Sequence, residues 1–163
     1  MTKARILLED LLTLNELKVK AYHGTRYSFD KFKTRRQVSG YSYSMGAYFS
    51  DSEKEAKRYG KEVKSYSLTF NKLLDLSFID EDSDRGKQMF FDYMKDTHGI
   101  KFEDTRTMIY DNPHFGYTTL EQLDKKFNLI PMLKRKGFDG VAFKEGDGVT
   151  YVVFNADQIE GIK

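Results

Sequence analysis

The chain has 163 residues, of which 27 are basic and 25 acidic, so its formal net charge at pH 7 is +2. This length predicts one domain over residues 1–163, and a composition of 39% hydrophobic and 32% charged residues excludes a disordered chain. The absence of cysteine excludes disulfides and thiolate chemistry, and no apolar run approaches the roughly 20 residues that cross a bilayer.

The first half of the chain shows both helix and strand patterns. Glu9 and Asp10 interrupt the N-terminal apolar stretch, so we expect no secretory signal and a cytoplasmic protein. Ser52 and Glu55 form a capping-box pattern at the start of a helix, and Gly60 is typical of its end. The predicted elements are a helix over 4–17, a strand over 18–23, a loop over 26–45, a strand over 45–49 and a helix over 53–59.

The second half predicts a C-terminal hairpin behind a helical region. Glu145-Gly146-Asp147-Gly148 is a strong turn signal between two strand patterns. This hairpin and the mixed order of elements favour an α+β fold over a doubly wound parallel sheet. The predicted elements are strands over 63–70 and 73–76, a helix over 84–97, an irregular insertion over 99–118, a helix over 119–136 interrupted at Pro131, and strands over 138–144 and 150–155.

The common cofactor and metal signatures are absent from the sequence. There is no glycine-rich dinucleotide or phosphate loop, and the three histidines lie far apart, so we expect no metal site. Two basic clusters, over 31–36 and 134–136, leave nucleic-acid binding open as an alternative. Such binding would show a steep dependence on salt concentration.

Three segments carry the chemically informative residues. The first is Tyr22-His23-Gly24-Thr25-Arg26 at a strand end. The second is Gly46-Ala47-Tyr48-Phe49-Ser50-Asp51, which leads into the helix with Tyr59, and the third includes Thr150-Tyr151-Val152-Val153-Phe154. Each has an ordinary structural interpretation, as a hydrogen-bonded histidine, as core tyrosines or as a plain hairpin. A histidine beside glycine at a strand end also suits a ligand site, and two tyrosine rings can enclose a flat cationic ring.

Together the three segments resemble the ADP-ribosyltransferases of the diphtheria-toxin and poly(ADP-ribose) polymerase branch, especially its small bacterial and phage-type members. That branch carries a His, a Tyr and usually a Glu on three separate strands. The resemblance covers about 19–70 and 132–160 and leaves 78–130 as a variable insertion. It implies an ADP-ribosyltransferase-like fold with a split, mostly antiparallel sheet and flanking helices.

The resemblance also implies NAD as the substrate. His23 would bind a ribose hydroxyl, the Gly24 backbone would pair with the nicotinamide carboxamide, and Tyr48 and Tyr59 would stack on the nicotinamide ring. The binding segment would continue through Thr25 and Arg26, with Arg26 towards the adenosine or phosphate side of NAD.

Two positions depart from the family pattern. Thr150 occupies the usual place of the catalytic glutamate, so a neutral hydroxyl replaces a carboxylate. Glu145, or else Asp147, would then reach in from the hairpin loop to supply the charge. Ala56 stands where eukaryotic relatives carry a serine that contacts the carboxamide.

The resemblance leads to one principal function and leaves others open. It indicates a monomeric mono-ADP-ribosyltransferase of a bacterium or an infected host cell, toxin-like in type, that acts on a macromolecular acceptor, either protein or nucleic acid. An NAD glycohydrolase, which uses water as acceptor, would have the same sequence features. A catalytically weak or inactive NAD-binding module is the other reading, and it is motivated by Thr150.

Overall fold

The computed structural model describes residues 16–25, 36–38 and 42–162. The predicted helix over 4–17 lies outside these residues except for its last two, and there the prediction is wrong because Leu17 already begins a strand. The strands are β1 (Leu17–Thr25), β2 (Arg36–Val38), β3 (Ser42–Ser44), β4 (Ala47–Ser50), β5 (Glu62–Phe70), β6 (Leu73–Asp75), β7 (Gly140–Glu145), β8 (Gly148–Val153) and β9 (Ile159–Gly161). The α-helices are α1 (Glu53–Ala56), α2 (Gly86–His98), α3 (Arg106–Asp111), α4 (Tyr117–Phe127) and α5 (Leu129–Arg135).

Seven of these strands form one sheet in the order β6-β7-β8-β4-β1-β5-β9, while β2 and β3 form a separate two-stranded ribbon. Within the described ranges, β6 and β7 are the one parallel pair, and every other neighbouring pair is antiparallel. The α+β class and the mostly antiparallel sheet predicted from the sequence are therefore confirmed.

The sheet opens between β1 and β4. β1 pairs with β5 at nine positions, from Leu17↔Phe70 to Thr25↔Glu62. On its other side, the described part of β1 pairs with β4 at Tyr22↔Ser50 alone. Backbone N–H and C=O groups need hydrogen-bond partners, so those that have no neighbouring strand at this split can bind side chains or a ligand.

Apolar residues cover both faces of the sheet. The larger core cluster joins α2, α4 and α5 to the sheet through residues such as Phe90, Leu123 and Phe143, all fully buried. A smaller cluster around Ala21 and Phe70 fills the other face. The sheet that contains the split between β1 and β4 thus lies between two apolar clusters. No helix in the described part of the chain is both long and apolar enough to span a membrane.

The helical region differs from its prediction in two places. The break predicted at Pro131 lies instead at Asn128, whose φ of 53° ends α4 in the left-handed conformation. Pro131 sits in the first turn of α5, where a missing N–H costs little, and the buried Asp124 carboxylate accepts the Ile130 N–H at 2.8 Å. The insertion over 99–118 is only partly irregular, because it contains α3 and the start of α4.

The C-terminal hairpin forms as predicted. Glu145 pairs with Gly148, so Gly146 and Asp147 make the turn between β7 and β8. Gly146 has a φ of 59°, a conformation that glycine adopts without strain. Glu145 is therefore the last residue of β7 before a two-residue turn.

Candidate functional site

A cavity of about 190 Å³ lies at the split between β1 and β4. Residues from β1, β4, β8 and the helical segment after β4 line it, although they are far apart in the sequence. Five candidate site residues line it, namely His23, Gly24, Tyr48, Tyr59 and Thr150, and so does Ala56, which departs from the family pattern.

The His23 ring bridges the split. Its Nδ1 lies 2.7 Å from the Tyr48 carbonyl oxygen, and since a carbonyl only accepts, Nδ1 carries the proton. In the neutral ring Nε2 is then a hydrogen-bond acceptor. The ring also packs on Phe49, with 5.4 Å between ring centroids. Burial lowers the His23 pKa, an effect only partly offset by the hydrogen bond to Tyr48, so we expect a neutral imidazole at pH 7.

We expect NMR titration to give a His23 pKa below the ordinary 6.5. Over the range between the folded pKa and 6.5 the unfolded chain binds more protons, so the free energy of unfolding falls as the pH drops through that range. His98, whose pKa is also lowered by burial, contributes in the same direction. Urea unfolding at several pH values should therefore show a shallower pH dependence in His23→Asn than in the parent. A His23 pKa at or above 6.5 would contradict this account.

Gly24 is required by the packing of the protein itself. A Cβ at this position would lie 1.9 Å from the Ala56 carbonyl oxygen and 2.8 Å from its carbon, which is impossibly close to backbone atoms. The end of α1 thus rests directly on β1. This close approach brings Tyr59, three residues beyond Ala56 at the end of the 3-10 turn Lys57–Tyr59, to the cavity.

The two tyrosines of the cavity have different surroundings. Tyr48 is half-buried, its hydroxyl accepts the Met45 N–H at 3.2 Å, and its ring meets Tyr117 edge-on at 5.6 Å. Tyr59 is 57% exposed, so it is not a core residue, and its hydroxyl donates to the Glu145 carboxylate. Partial burial and this carboxylate raise the Tyr59 pKa, which keeps the phenol neutral.

The three polar candidates from the hairpin have different positions relative to the cavity. Thr150 is buried, stands opposite Ser50 in the β4–β8 ladder and lines the cavity. Glu145 lines a neighbouring cavity of about 570 Å³ and meets the first cavity through its bond to Tyr59. Asp147, the other acidic residue of the turn, is exposed and pairs with Lys54 at 3.4 Å. Of these two acidic residues, it is therefore Glu145 that lies next to the first cavity.

Some predicted residues are not brought together with the others. Thr25 ends β1 opposite Glu62 and does not line the cavity, and Arg26 lies outside the described residues. Conversely, Tyr22, Phe49 and Ser50 line the cavity but were not proposed from the sequence. All three lie within the segments singled out from the sequence, and Ser50 also pairs with Tyr22 across the split.

In the ranges 16–25, 36–38 and 42–162, no three or more His, Asp or Glu side chains are grouped so that they could hold a metal ion. The polar residues at the cavity are instead an imidazole, hydroxyls and one carboxylate at its edge. Such groups hydrogen-bond a sugar and stabilise positive charge.

Comparison with known proteins identifies the family. The family model of the ADP-ribosyltransferases in polyvalent proteins matches residues 16–163, and the chain belongs to that family. ADP-ribosyltransferases use NAD as their substrate. A crystal structure of an anti-CRISPR protein has 12% sequence identity and a TM-score of 0.42 over 90% of this chain and 96% of that chain. A search of curated proteins finds no match.

Proposed function

We propose that the protein is a mono-ADP-ribosyltransferase that cleaves NAD at the nicotinamide–ribose bond and transfers ADP-ribose to a macromolecular acceptor. The observation that carries the proposal is the shared cavity: His23 from β1, Tyr48 from β4, Tyr59 after α1 and Thr150 from β8 all line it. Membership of the ADP-ribosyltransferase family supports the same reaction class.

The size and lining of the cavity suit the nicotinamide end of NAD. An apolar cavity of about 150 Å³ accommodates benzene, so a cavity of about 190 Å³ has room for one six-membered ring with its carboxamide. Nicotinamide is a cationic pyridinium while it is bound to ribose, and such a ring is attracted to the faces of Tyr48 and Tyr59. The remainder of NAD would extend outside this cavity.

The chain's own groups would then act on the ribose. The neutral His23 ring, fixed by Tyr48, would accept a hydrogen bond at Nε2 from a ribose hydroxyl. The C1′–N bond breaks with its electron pair leaving on nicotinamide, and positive charge spreads over the ribose. The Glu145 carboxylate at the rim would stabilise this charge. An acceptor nucleophile then bonds to C1′ and loses one proton.

Replacement of Tyr59 by alanine tests the aromatic contact. We expect Tyr59→Ala to weaken NAD binding by about 1–3 kcal/mol, the range for stacking of an aromatic side chain on a base. The free energy of unfolding of this variant should change little, because Tyr59 is 57% exposed. Calorimetric titration with NAD and urea unfolding measure the two effects. Tyr59→Phe keeps the ring and should retain most of the affinity, and a large loss of stability in Tyr59→Ala would show a structural role instead.

The neutral side chain of Thr150 favours a second candidate, an NAD-binding module with weak or no catalysis. A carboxylate deep in the cavity would stabilise the ribose cation directly, whereas a threonine hydroxyl carries no charge. Activity in Thr150→Glu that the parent lacks would support this candidate.

The experiment that separates these functions uses NAD labelled in the adenylate phosphate, incubated with the protein and a bacterial lysate, with free nicotinamide measured in parallel. Label on macromolecules together with nicotinamide release supports the transferase. Nicotinamide release without labelled macromolecules would instead indicate a glycohydrolase. Absence of both, with NAD binding still detected by calorimetry, would leave the binding module.

A further inference from the structure

Glu55 does not complete the capping box that its sequence position suggests. The Ser52 hydroxyl accepts the Glu55 N–H at 3.2 Å, which is one half of the motif. For the other half, the glutamate side chain would accept the Ser52 N–H, but that N–H binds the Ser50 hydroxyl at 3.1 Å instead. The Glu55 side chain is nevertheless only 4% exposed, so its carboxylate is buried against another part of the protein.

The Glu55 carboxylate contacts the tip of the β7–β8 hairpin. It accepts the Asp147 N–H at 3.3 Å. It also lies against Gly146, since a Cβ at that glycine would be 2.7–2.8 Å from the carboxylate atoms. Arg58 compensates its charge at 3.2 Å. Burying a carboxylate is costly unless it is paired and hydrogen-bonded, and these contacts provide that compensation.

Two further carboxylates hold the same tip. Glu81 accepts the Gly146 N–H at 2.8 Å, and Asp51 accepts the Val149 N–H at 2.8 Å. Glu145 precedes these residues, and its carboxylate accepts the Tyr59 hydroxyl. The helical segment over 53–59 therefore contacts the hairpin at three points: Glu55 binds the turn backbone, Lys54 pairs with the exposed Asp147 side chain, and Tyr59 binds Glu145.

We propose that Glu55 is a positioning residue, which holds the hairpin tip so that the Glu145 carboxylate stays beside Tyr59 at the rim of the cavity. This inference rests on the proposed function, because it assigns Glu55 a role in the reaction through Glu145. Glu55 itself does not line the cavity, so the proposal assigns it no contact with NAD there.

Amide hydrogen exchange tests the positioning independently of any chemistry. In Glu55→Ala the amides of Gly146 and Val149, which bind other carboxylates, should exchange about tenfold faster or more because the tip opens locally. Glu55→Gln keeps an oxygen acceptor and should restore much of the protection. Glu53→Ala, an exposed glutamate of the same helix, is the matched control and should leave exchange unchanged. Unchanged exchange in Glu55→Ala would overturn the proposal.

Kinetics of nicotinamide release test the link to Glu145. Glu55→Ala should lower kcat by about tenfold or more, towards the roughly 10²-fold that a 1 Å misplacement can cost, with KM for NAD nearly unchanged. In a Glu145→Gln background the same change should have no further effect on kcat. Faster exchange with fully additive kinetic effects would contradict a role through Glu145. If the parent releases no nicotinamide, the proposed function fails, and hydrogen exchange alone then decides whether Glu55 holds the tip.

Discussion

Replacing His23 by alanine should lower the rate of NAD cleavage by at least about 10²-fold, the loss typical of removing one preorganised polar group. The ring supplies the acceptor for the ribose hydroxyl, and its bond to the Tyr48 carbonyl fixes the orientation of that acceptor. The side chain is only partly buried, so circular dichroism should show little change in secondary structure. Nicotinamide release measured by liquid chromatography gives the rate.

A second variant separates the structural and functional roles of this ring. The amide nitrogen of asparagine takes the place of Nδ1, so His23→Asn can still donate to the Tyr48 carbonyl but has no group in place of Nε2. We therefore expect near-parent stability without activity. His98→Gln is the histidine control, since His98 packs on Tyr93 and Phe138 and lines neither cavity. Parent-like turnover in His23→Asn would remove Nε2 from the reaction.

Glu145→Gln should also lower NAD cleavage by about 10²-fold or more. The substitution preserves size and keeps an oxygen that accepts the Tyr59 hydroxyl, so the local geometry should persist. What is lost is the negative charge that opposes the cationic ribose in the transition state. The expected effect is therefore on kcat, with KM for NAD changed little. Single-turnover measurement of nicotinamide release isolates the chemical step.

Asp147 offers a matched control for the charge of the hairpin. It lies two residues from Glu145 but is exposed and paired with Lys54. Asp147→Asn should therefore leave cleavage within about twofold of the parent, because exposed ion pairs contribute little. Equal losses in both variants would point to the net charge of the turn, and an unaffected Glu145→Gln would show that another group stabilises the ribose.

Local patterns in the sequence predict several secondary-structure elements of the fold. The Gly-rich turn predicts the β7–β8 hairpin, and serine before a charged run predicts the start of α1. The three-segment resemblance predicts five of the residues that meet at the cavity, because a family pattern already contains long-range information. These features depend either on neighbouring residues or on a family pattern.

Other features depend on side-chain contacts that the local sequence pattern does not indicate, and two of these contacts join residues far apart in the chain. The helix break at Asn128 is stabilised by the Asp124 carboxylate reaching Ile130, whereas proline alone suggested a break three residues later. The bond between Tyr59 and Glu145 joins residues 86 positions apart. Glu55 matches a capping box, yet tertiary packing directs its carboxylate to the hairpin. In each case the hydrogen-bond partner of the side chain is set by the tertiary fold and not by the sequence pattern around it.

The most direct measurement is a crystal structure with a carbocyclic NAD analogue whose nicotinamide bond cannot be cleaved. The account predicts the nicotinamide ring in the cavity at the β1–β4 split, in contact with Tyr48 and Tyr59. It also predicts a ribose hydroxyl within hydrogen-bond distance of His23 Nε2 and the Glu145 carboxylate facing the ribose. A nicotinamide ring bound anywhere else, or a ribose out of reach of His23, would contradict it.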